Sequence, residues 1–381
     1  MRRIAACCLV VAMGGLGCGT GTLPSDEVKL PDALTCGQTS WSVVQQLGVG
    51  SSVPSNLLLR DGTFYLSVAS MGIVALPMTG GEPVVLTTDV AGRLWLEGDS
   101  LYYGQSDDKL RRLPLAGGTP TLVVDGMTSF VAPDYGVPGD TALDASYYYW
   151  DLSPQVGPAT YAVWRAPRAG GAAEKLADLP PRQPAYSWPE LTLTSDTLIL
   201  ALDSQNVAYA VPLAGGSMRM LPTPPAPASG TSNMLGGSST AGVLWVNERW
   251  GNGEPYPTTF MSLSDVGAPS ATTARPFWTE KPPFMRPFPM TSWPDGAGGW
   301  LVTGTEWHAD GRHTSVWAVN AAGARGTRLG CNPSAGDGSV WSTVTTPDAV
   351  YAVVSYDDFA NGGNQWMLIR IARVPAAPFG A

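Results

Sequence analysis

One phrase recurs along this chain and limits what it can fold into: a strand-like stretch ending in Pro, two further residues, a Gly-Gly pair, then a second strand-like stretch. It runs from Val74 to Gly81, Arg112 to Gly118, Arg165 to Gly171 and Ala210 to Gly216, with Pro77, Pro114, Pro167 and Pro212 each three residues ahead of the first Gly. Weaker echoes run from Ser262 to Gly267 and from Ala318 to Gly323. The physics of the phrase is a hairpin. Gly-Gly supplies the positive φ angles of a tight turn. Pro has no N–H to give a ladder, so it marks where the incoming strand leaves the sheet.

Upstream of each phrase lies a turn residue followed by an aromatic or β-branched run, the signature of a strand start. These runs are Asp61–Leu66, Asp99–Tyr103, Ser146–Trp150, Asp196–Leu200, Gly242–Val246, Gly298–Val302 and Asp348–Ala352. The Gly pairs at 80, 117, 170 and 215 stand 37, 53 and 45 residues apart. Four-stranded propeller blades repeat at roughly 40–50 residues. The expected fold is therefore all-β, a β-propeller of four-stranded blades. Seven cycles fit between about residues 50 and 375, and the spacing alone leaves six open. The last cycle ends on Leu368–Ile371 as a third strand without a fourth. The isolated stretch Trp41–Leu47 can supply that strand and close the ring, which removes the exposed edges.

Composition agrees with many short strands. Charged residues are 14% of the chain, against roughly 25% in an ordinary soluble domain. The N-terminus reads Met1-Arg2-Arg3 and then an apolar run from Ile4 to Gly17, which is a secretory signal and too short to span a bilayer. Gly15-Leu16-Gly17-Cys18 resembles a bacterial lipobox, with Leu16 one place closer to the Cys than usual. The resemblance implies cleavage before Cys18 and acylation of its thiol; ordinary cleavage after a small residue is the alternative. The expected layout is a signal peptide over 1–17, a lipidated Cys18 and flexible tether over 18–36, the propeller over 37–375, and a tail over 376–381. Gly19 after the Cys, with no Asp there, points to the outer membrane by analogy with enteric bacteria.

Without Arg2 and Arg3 the chain carries 20 basic and 31 acidic side chains, a net charge of −11. Such a surface repels nucleic acid, so none is expected as partner. Cys36 and Cys331 are the cysteines left after Cys18. Outside the cytoplasm they are a candidate disulfide; two free thiols are the alternative.

The repeat resembles those of bacterial secreted and lipid-anchored propellers of the NHL and YWTD-like kind. Tyr149-Trp150-Asp151 comes nearest the YWTD signature and lacks its Thr. The resemblance implies the fold and no particular function, since propellers host many. In a four-stranded blade the second-to-third connections and the links between blades share one face. The long segments 248–258, 306–314 and 356–365 fall there, and long loops on a rigid scaffold are where binding residues sit. The candidate binding face comprises Trp250, Tyr256, Trp307, His308, Asp310, Asp357, Asp358 and Phe359.

The only histidines, His308 and His313, stand with Glu306 and Asp310 in one short segment, which also reads as a hairpin turning at Asp310-Gly311. The four residues offer acids, bases or metal ligands at a spacing that matches no established motif. Asp357 to Asn364 is rich in oxygen ligands and lacks the order of a calcium loop. No nucleophile elbow, phosphate loop or dinucleotide fingerprint is present. The sequence therefore points to a monomeric binding or scaffolding module with no cofactor and no resident metal. Its partner would be an envelope protein or glycan, and its sole tie to the membrane the lipid. The alternative is a propeller lyase or hydrolase with a carboxylate/His site around Glu306–His313.

Overall fold

The computed structural model describes residues 41–50, 54–104, 109–124, 141–152, 162–169, 171–178, 189–193, 196–202, 207–221, 231–239, 242–249, 259–262, 275–278, 293–294, 299–308, 311–320, 326–331, 339–358 and 363–372. These residues form strands and turns, with no helix among them. The strands make seven four-stranded antiparallel sheets.

A first strand, β1 (Trp41–Gly50), precedes sheet I. Sheet I holds β2 (Leu58–Arg60), β3 (Thr63–Val68), β4 (Gly72–Pro77) and β5 (Val84–Thr87). Sheet II holds β6 (Leu94–Glu97), β7 (Ser100–Gly104), β8 (Leu110–Pro114) and β9 (Thr121–Val124). Sheet III holds β10 (Thr141–Leu143), β11 (Tyr147–Leu152), β12 (Ala162–Pro167) and β13 (Glu174–Asp178). Sheet IV holds β14 (Pro189–Leu193), β15 (Thr197–Leu202), β16 (Val207–Pro212) and β17 (Arg219–Met220). Sheet V holds β18 (Thr231–Ser239), β19 (Gly242–Arg249), β20 (Thr259–Ser262) and β21 (Arg275–Trp278). Sheet VI holds β22 (Trp293–Pro294), β23 (Gly299–His308), β24 (Gly311–Asn320) and β25 (Gly326–Cys331). Sheet VII runs β26 (Ser339–Thr345), β27 (Ala349–Asp358), β28 (Gly363–Ala372) and then β1. Trp41 pairs with Ile371 and Gly50 with Asn364, so the N-terminal strand supplies the fourth strand of the last sheet, as the unpaired end of the repeat required.

Each of the seven runs picked out by its turn-plus-aromatic start forms the second strand of a sheet. Where the side chains are described, the continuous apolar character has a packing cause, because both faces are covered. On β3, Phe64 and Leu66 pack against Tyr351 and Val353 of sheet VII, while Tyr65 packs against Leu101 and Tyr103 of sheet II. On β11, Tyr148 and Trp150 meet Tyr102 of sheet II, while Tyr149 meets Leu198 and Leu200 of sheet IV. Val316 of sheet VI joins Val340, Val350 and Val354 of sheet VII. The core is thus a set of layers between successive sheets, and sheet VII packs against both sheet VI and sheet I.

The Gly-Gly turns join third to fourth strands. Gly80, Gly117 and Gly215 have φ of 83°, 82° and 82°, and each donates its N–H to the Pro carbonyl three residues back, at 2.9–3.0 Å. The Pro costs the ladder nothing. Pairing with the fourth strand has already stopped at Ala75, Arg112, Arg165 and Ala210, two residues before each Pro. Pairing with the second strand continues to the Pro itself.

A second recurring device lies in the same pairs. The register slips by one residue on the fourth strand, at Leu86, Val123, Leu176, Phe277 and Leu329. A bulge of this kind re-aims a side chain. Leu86, Val123 and Leu176 each join the core layer between their own sheet and the next.

Candidate functional site

The two ends of the sheets are built differently. At one end the first-to-second and third-to-fourth turns are tied together. Met78, Leu115, Arg168 and Leu213 donate N–H groups to the carbonyls of Gly62, Asp99, Ser146 and Asp196, at 2.8–2.9 Å. The backbone there is consumed in short turns.

Arg168 adds a polar junction between sheets II and III at that end. Its guanidinium binds the Glu97 carboxylate, donates to the Tyr102 hydroxyl at 3.0 Å and to the Asp144 carbonyl at 2.9 Å, and lies 5.2 and 5.7 Å from the rings of Tyr102 and Tyr148. Burial works against the Arg168 charge, but hydrogen bonds from it to Glu97, Tyr102 and Tyr148 outweigh burial and raise its pKa. Burial also pushes the Tyr148 phenol up to about 12. Burial opposes the Asp144 carboxylate too, yet hydrogen bonds from Tyr149, Ser146 and Tyr147 hold its pKa below the usual value. Arg165 reaches from sheet III to sheet IV, donating to the Leu213 carbonyl at 2.5 Å. Apart from Arg168 Nε, which is buried without a hydrogen-bond partner, these groups are matched to one another, which is the pattern of a structural junction.

The opposite end carries the second-to-third hairpins and the links between sheets. Here the hairpins of sheets VI and VII stand out. β23, β24, β27 and β28 are ten residues each, against five or six for β3, β7, β11 and β15. The segments 306–314 and 356–365, expected from the sequence as long loops, are instead largely strand. Polar residues near a hairpin tip keep strand geometry because the ladder satisfies their backbone groups. His308 pairs with Gly311, so Gly311, expected from the sequence in a turn, belongs to the ladder.

Among the expected binding residues, Trp307 and His308 lie at the tip of the β23–β24 hairpin. Asp357 and Asp358 lie at the tip of β27–β28. The two sheets are neighbours, so the structure brings these four positions to one end of one pair of sheets. Trp250, Tyr256, Asp310 and Phe359 lie outside the described residues, as do Cys18 and Cys36. Cys331 is the last residue of β25, opposite Ser315.

One residue at this end escaped the sequence reading. Trp341 occupies a bulge in β26, the first strand of sheet VII, between Val340 and Ser342. It is 36% exposed, while its neighbour Trp366, with ring centroids 5.6 Å apart, is 2% exposed. The Trp341 indole N–H donates to Ser355 Oγ at 2.7 Å, which fixes the ring. A Trp inside a strand run carries no sign of a bulge, so the sequence offered no reason to separate Trp341 from core aromatics.

Around it the first strands of sheets VII, I and II are cross-linked. Leu57 N–H donates to Ser342 Oγ at 2.8 Å. The Asn56 amide both accepts from Leu94 N–H at 2.7 Å and donates to Leu94 C=O at 3.0 Å. Ser67 N–H donates to Ser55 Oγ at 2.7 Å, and Ala91 N–H to Ser67 Oγ at 2.9 Å. These buried polar groups hold the strand starts in fixed relation, and rigid support is what a recognition surface needs. Among the residues with described side chains, no three His, Cys, Asp or Glu come together as metal ligands would. No helix of the described residues is long and apolar enough to cross a membrane.

No protein-family model matches the chain, and no curated protein sequence does. Solved structures do match. The WD40 β-propeller domain of Doa1 aligns over 90% of this chain and 100% of its own, at 10% identity and a TM-score of 0.50. A chain of the mitotic checkpoint complex aligns over 97% of this chain and 99% of its own, at 11% identity and a TM-score of 0.52. A prolyl endopeptidase aligns over 81% of this chain, at 12% identity and a TM-score of 0.50, and the match spans 46% of the endopeptidase. At these identities the likeness concerns the fold alone, and the fold of this chain is a β-propeller.

Proposed function

We propose that this chain is a seven-bladed propeller carried in the bacterial cell envelope, tethered by lipid on Cys18, and that it is a binding or scaffolding module. The hairpin end of sheets VI and VII takes an envelope protein or a glycan. The observation that carries this reading is the pair of neighbouring hairpins built of ten-residue strands, near a fixed, exposed Trp341 on the cross-linked first strands. A β-propeller suits a binding role, because its blades form a rigid platform for variable loops. Exposed aromatic residues near a few charges are the usual make-up of a recognition surface.

Two experiments test the parts separately. Cys18→Ser should move the chain from the membrane fraction to the soluble fraction; a chain that stays with the membrane refutes the lipid anchor. Trp341→Ala combined with Asp358→Lys should abolish recovery of the partner that the unmutated chain retains from solubilised envelope. Thr79→Lys at the Gly-Gly end should leave recovery intact. Equal loss from both ends refutes the assignment of the face.

A further inference from the structure

The chain has two histidines in 381 residues, and both lie on one hairpin. The register says more than their closeness in sequence. Glu306 is paired directly with His313 across β23 and β24, and His308 lies two residues beyond Glu306 on the same strand. Residues i and i+2 of a strand share a face, as do residues directly opposite. Glu306, His308 and His313 therefore occupy one face of the hairpin. Val316 marks the other face, since it belongs to the core layer against Val340, Val350 and Val354 of sheet VII. His313, three residues from Val316, falls on the opposite side by strand alternation, and Trp307 and Arg312 fall on the Val316 side.

We infer that Glu306, His308 and His313 form a binding site for a borderline divalent cation of the Zn²⁺ class. Cross-strand partners stand about 4.5–5.5 Å apart at Cα. Residues two apart on a strand stand about 6.5–7 Å apart. Ligand bonds of about 2.0–2.2 Å from imidazole and carboxylate converge readily from three positions so spaced. Two imidazoles select Zn²⁺ and its transition-metal neighbours over Ca²⁺ or Mg²⁺, which take oxygen ligands. Three protein ligands leave at least one position for water or for a donor group from a partner. Among the described strands β23 and β24 are of the longest, and they pair without a break from Gly299 to His308, so the ladder fixes the relative position of the three residues. The site stands whether or not the neighbouring surface captures a partner.

The test uses the full mature chain, stripped of metal and dialysed against Zn²⁺, with bound metal read by elemental analysis. One equivalent of Zn²⁺ is expected. His308→Ala with His313→Ala should abolish it, and Glu306→Gln should weaken it at least about tenfold, the usual penalty for losing a ligating group or its support. Arg312→Gln, on the other face, should bind Zn²⁺ as the unmutated chain does. A second readout needs no substitution. Because His308 and His313 are the only histidines, Zn²⁺ should protect both from acylation of imidazole by diethyl pyrocarbonate, read by mass spectrometry. Sub-stoichiometric binding, binding that survives the double substitution, or histidines modified equally with and without Zn²⁺ would each overturn the site.

Discussion

A guanidinium set between two sheets needs partners for its charge, and Arg168 has a carboxylate, a hydroxyl and a carbonyl. It is 16% exposed and Glu97 32%, so the pair is partly desolvated. Arg168→Met leaves the Glu97 carboxylate without its cation and should cost about 2–3 kcal/mol in denaturant unfolding. That is less than the roughly 3–5 kcal/mol for fully buried pairs, because Glu97 keeps some water. Adding Glu97→Leu should recover part of the loss. Two glycines of positive φ differ just as clearly in their surroundings. A Cβ on Gly72 (φ 90°) would lie 2.2 Å from the Thr87 carbonyl oxygen, whereas one on Gly62 (φ 73°) would meet nothing within 4 Å. Gly62→Ala should therefore cost about 1 kcal/mol, the left-handed penalty alone. Gly72→Ala should cost clearly more, by at least about 2 kcal/mol, because strand β5 has to shift.

Titration at the residue scale has a definite sign. Burial is the first cause that raises the phenols of Tyr103, Tyr148 and Tyr149; the hydrogen bonds that Tyr103 and Tyr149 donate to the Asp89 and Asp144 carboxylates add to it. The folded chain favours the neutral phenols. The stability they contribute is complete below the ordinary phenol value of about 10 and is lost as pH rises through the raised values. Urea midpoints should hold steady up to about pH 10 and fall above it. Tyr103→Phe should flatten that fall; an unchanged slope would show that Tyr103 is not among the groups responsible.

At the scale of elements, closure rests on β1. Leu47 of β1 packs in the layer between sheets VII and I with Phe64 and Trp366. A chain starting after Gly50 would leave β28 as an open edge, a template for pairing with other chains. It should aggregate or lose several kcal/mol of stability, and a peptide of residues 41–50 added in trans should restore the unfolding midpoint. The strands themselves were largely legible. Asp61–Leu66 and its six counterparts announced second strands because a turn residue precedes each apolar run, and in β3, β7, β11, β15 and β27 both faces of the run are buried. The Gly pairs announced turns because tight turns need positive φ. What escaped is set by tertiary packing. Leu86, Val123 and Leu176 read as ordinary strand residues, and only the neighbouring sheet makes them bulges. The segment 306–314 read as a loop because it is polar. Strand propensity is a statement about half-buried surfaces, and the ladder carries polar residues where the hairpin projects.

At the scale of the whole molecule, the ends differ in what they leave available. The Gly-Gly end spends its backbone groups on turn-to-turn bonds and its arginines on inter-sheet junctions. The hairpin end presents Trp341, on the cross-linked first strands, and the tips of two long hairpins. Of this candidate face, the sequence showed the positions 307, 308, 357 and 358 through their chemistry. The alternation of connections in a four-stranded blade also put them at one end; that they stand on strand ladders rather than in loops is a property of register that the sequence did not show. The central claim is that recognition belongs to this end. Its most direct test is a photo-crosslinking amino acid placed at Asp358 or Gln365 on the hairpin end, and at Thr79 or Ala116 on the Gly-Gly end, in the intact envelope. Adducts from positions 358 and 365 alone are the predicted result. Adducts of equal yield from both ends, or from positions 79 and 116 alone, would contradict it.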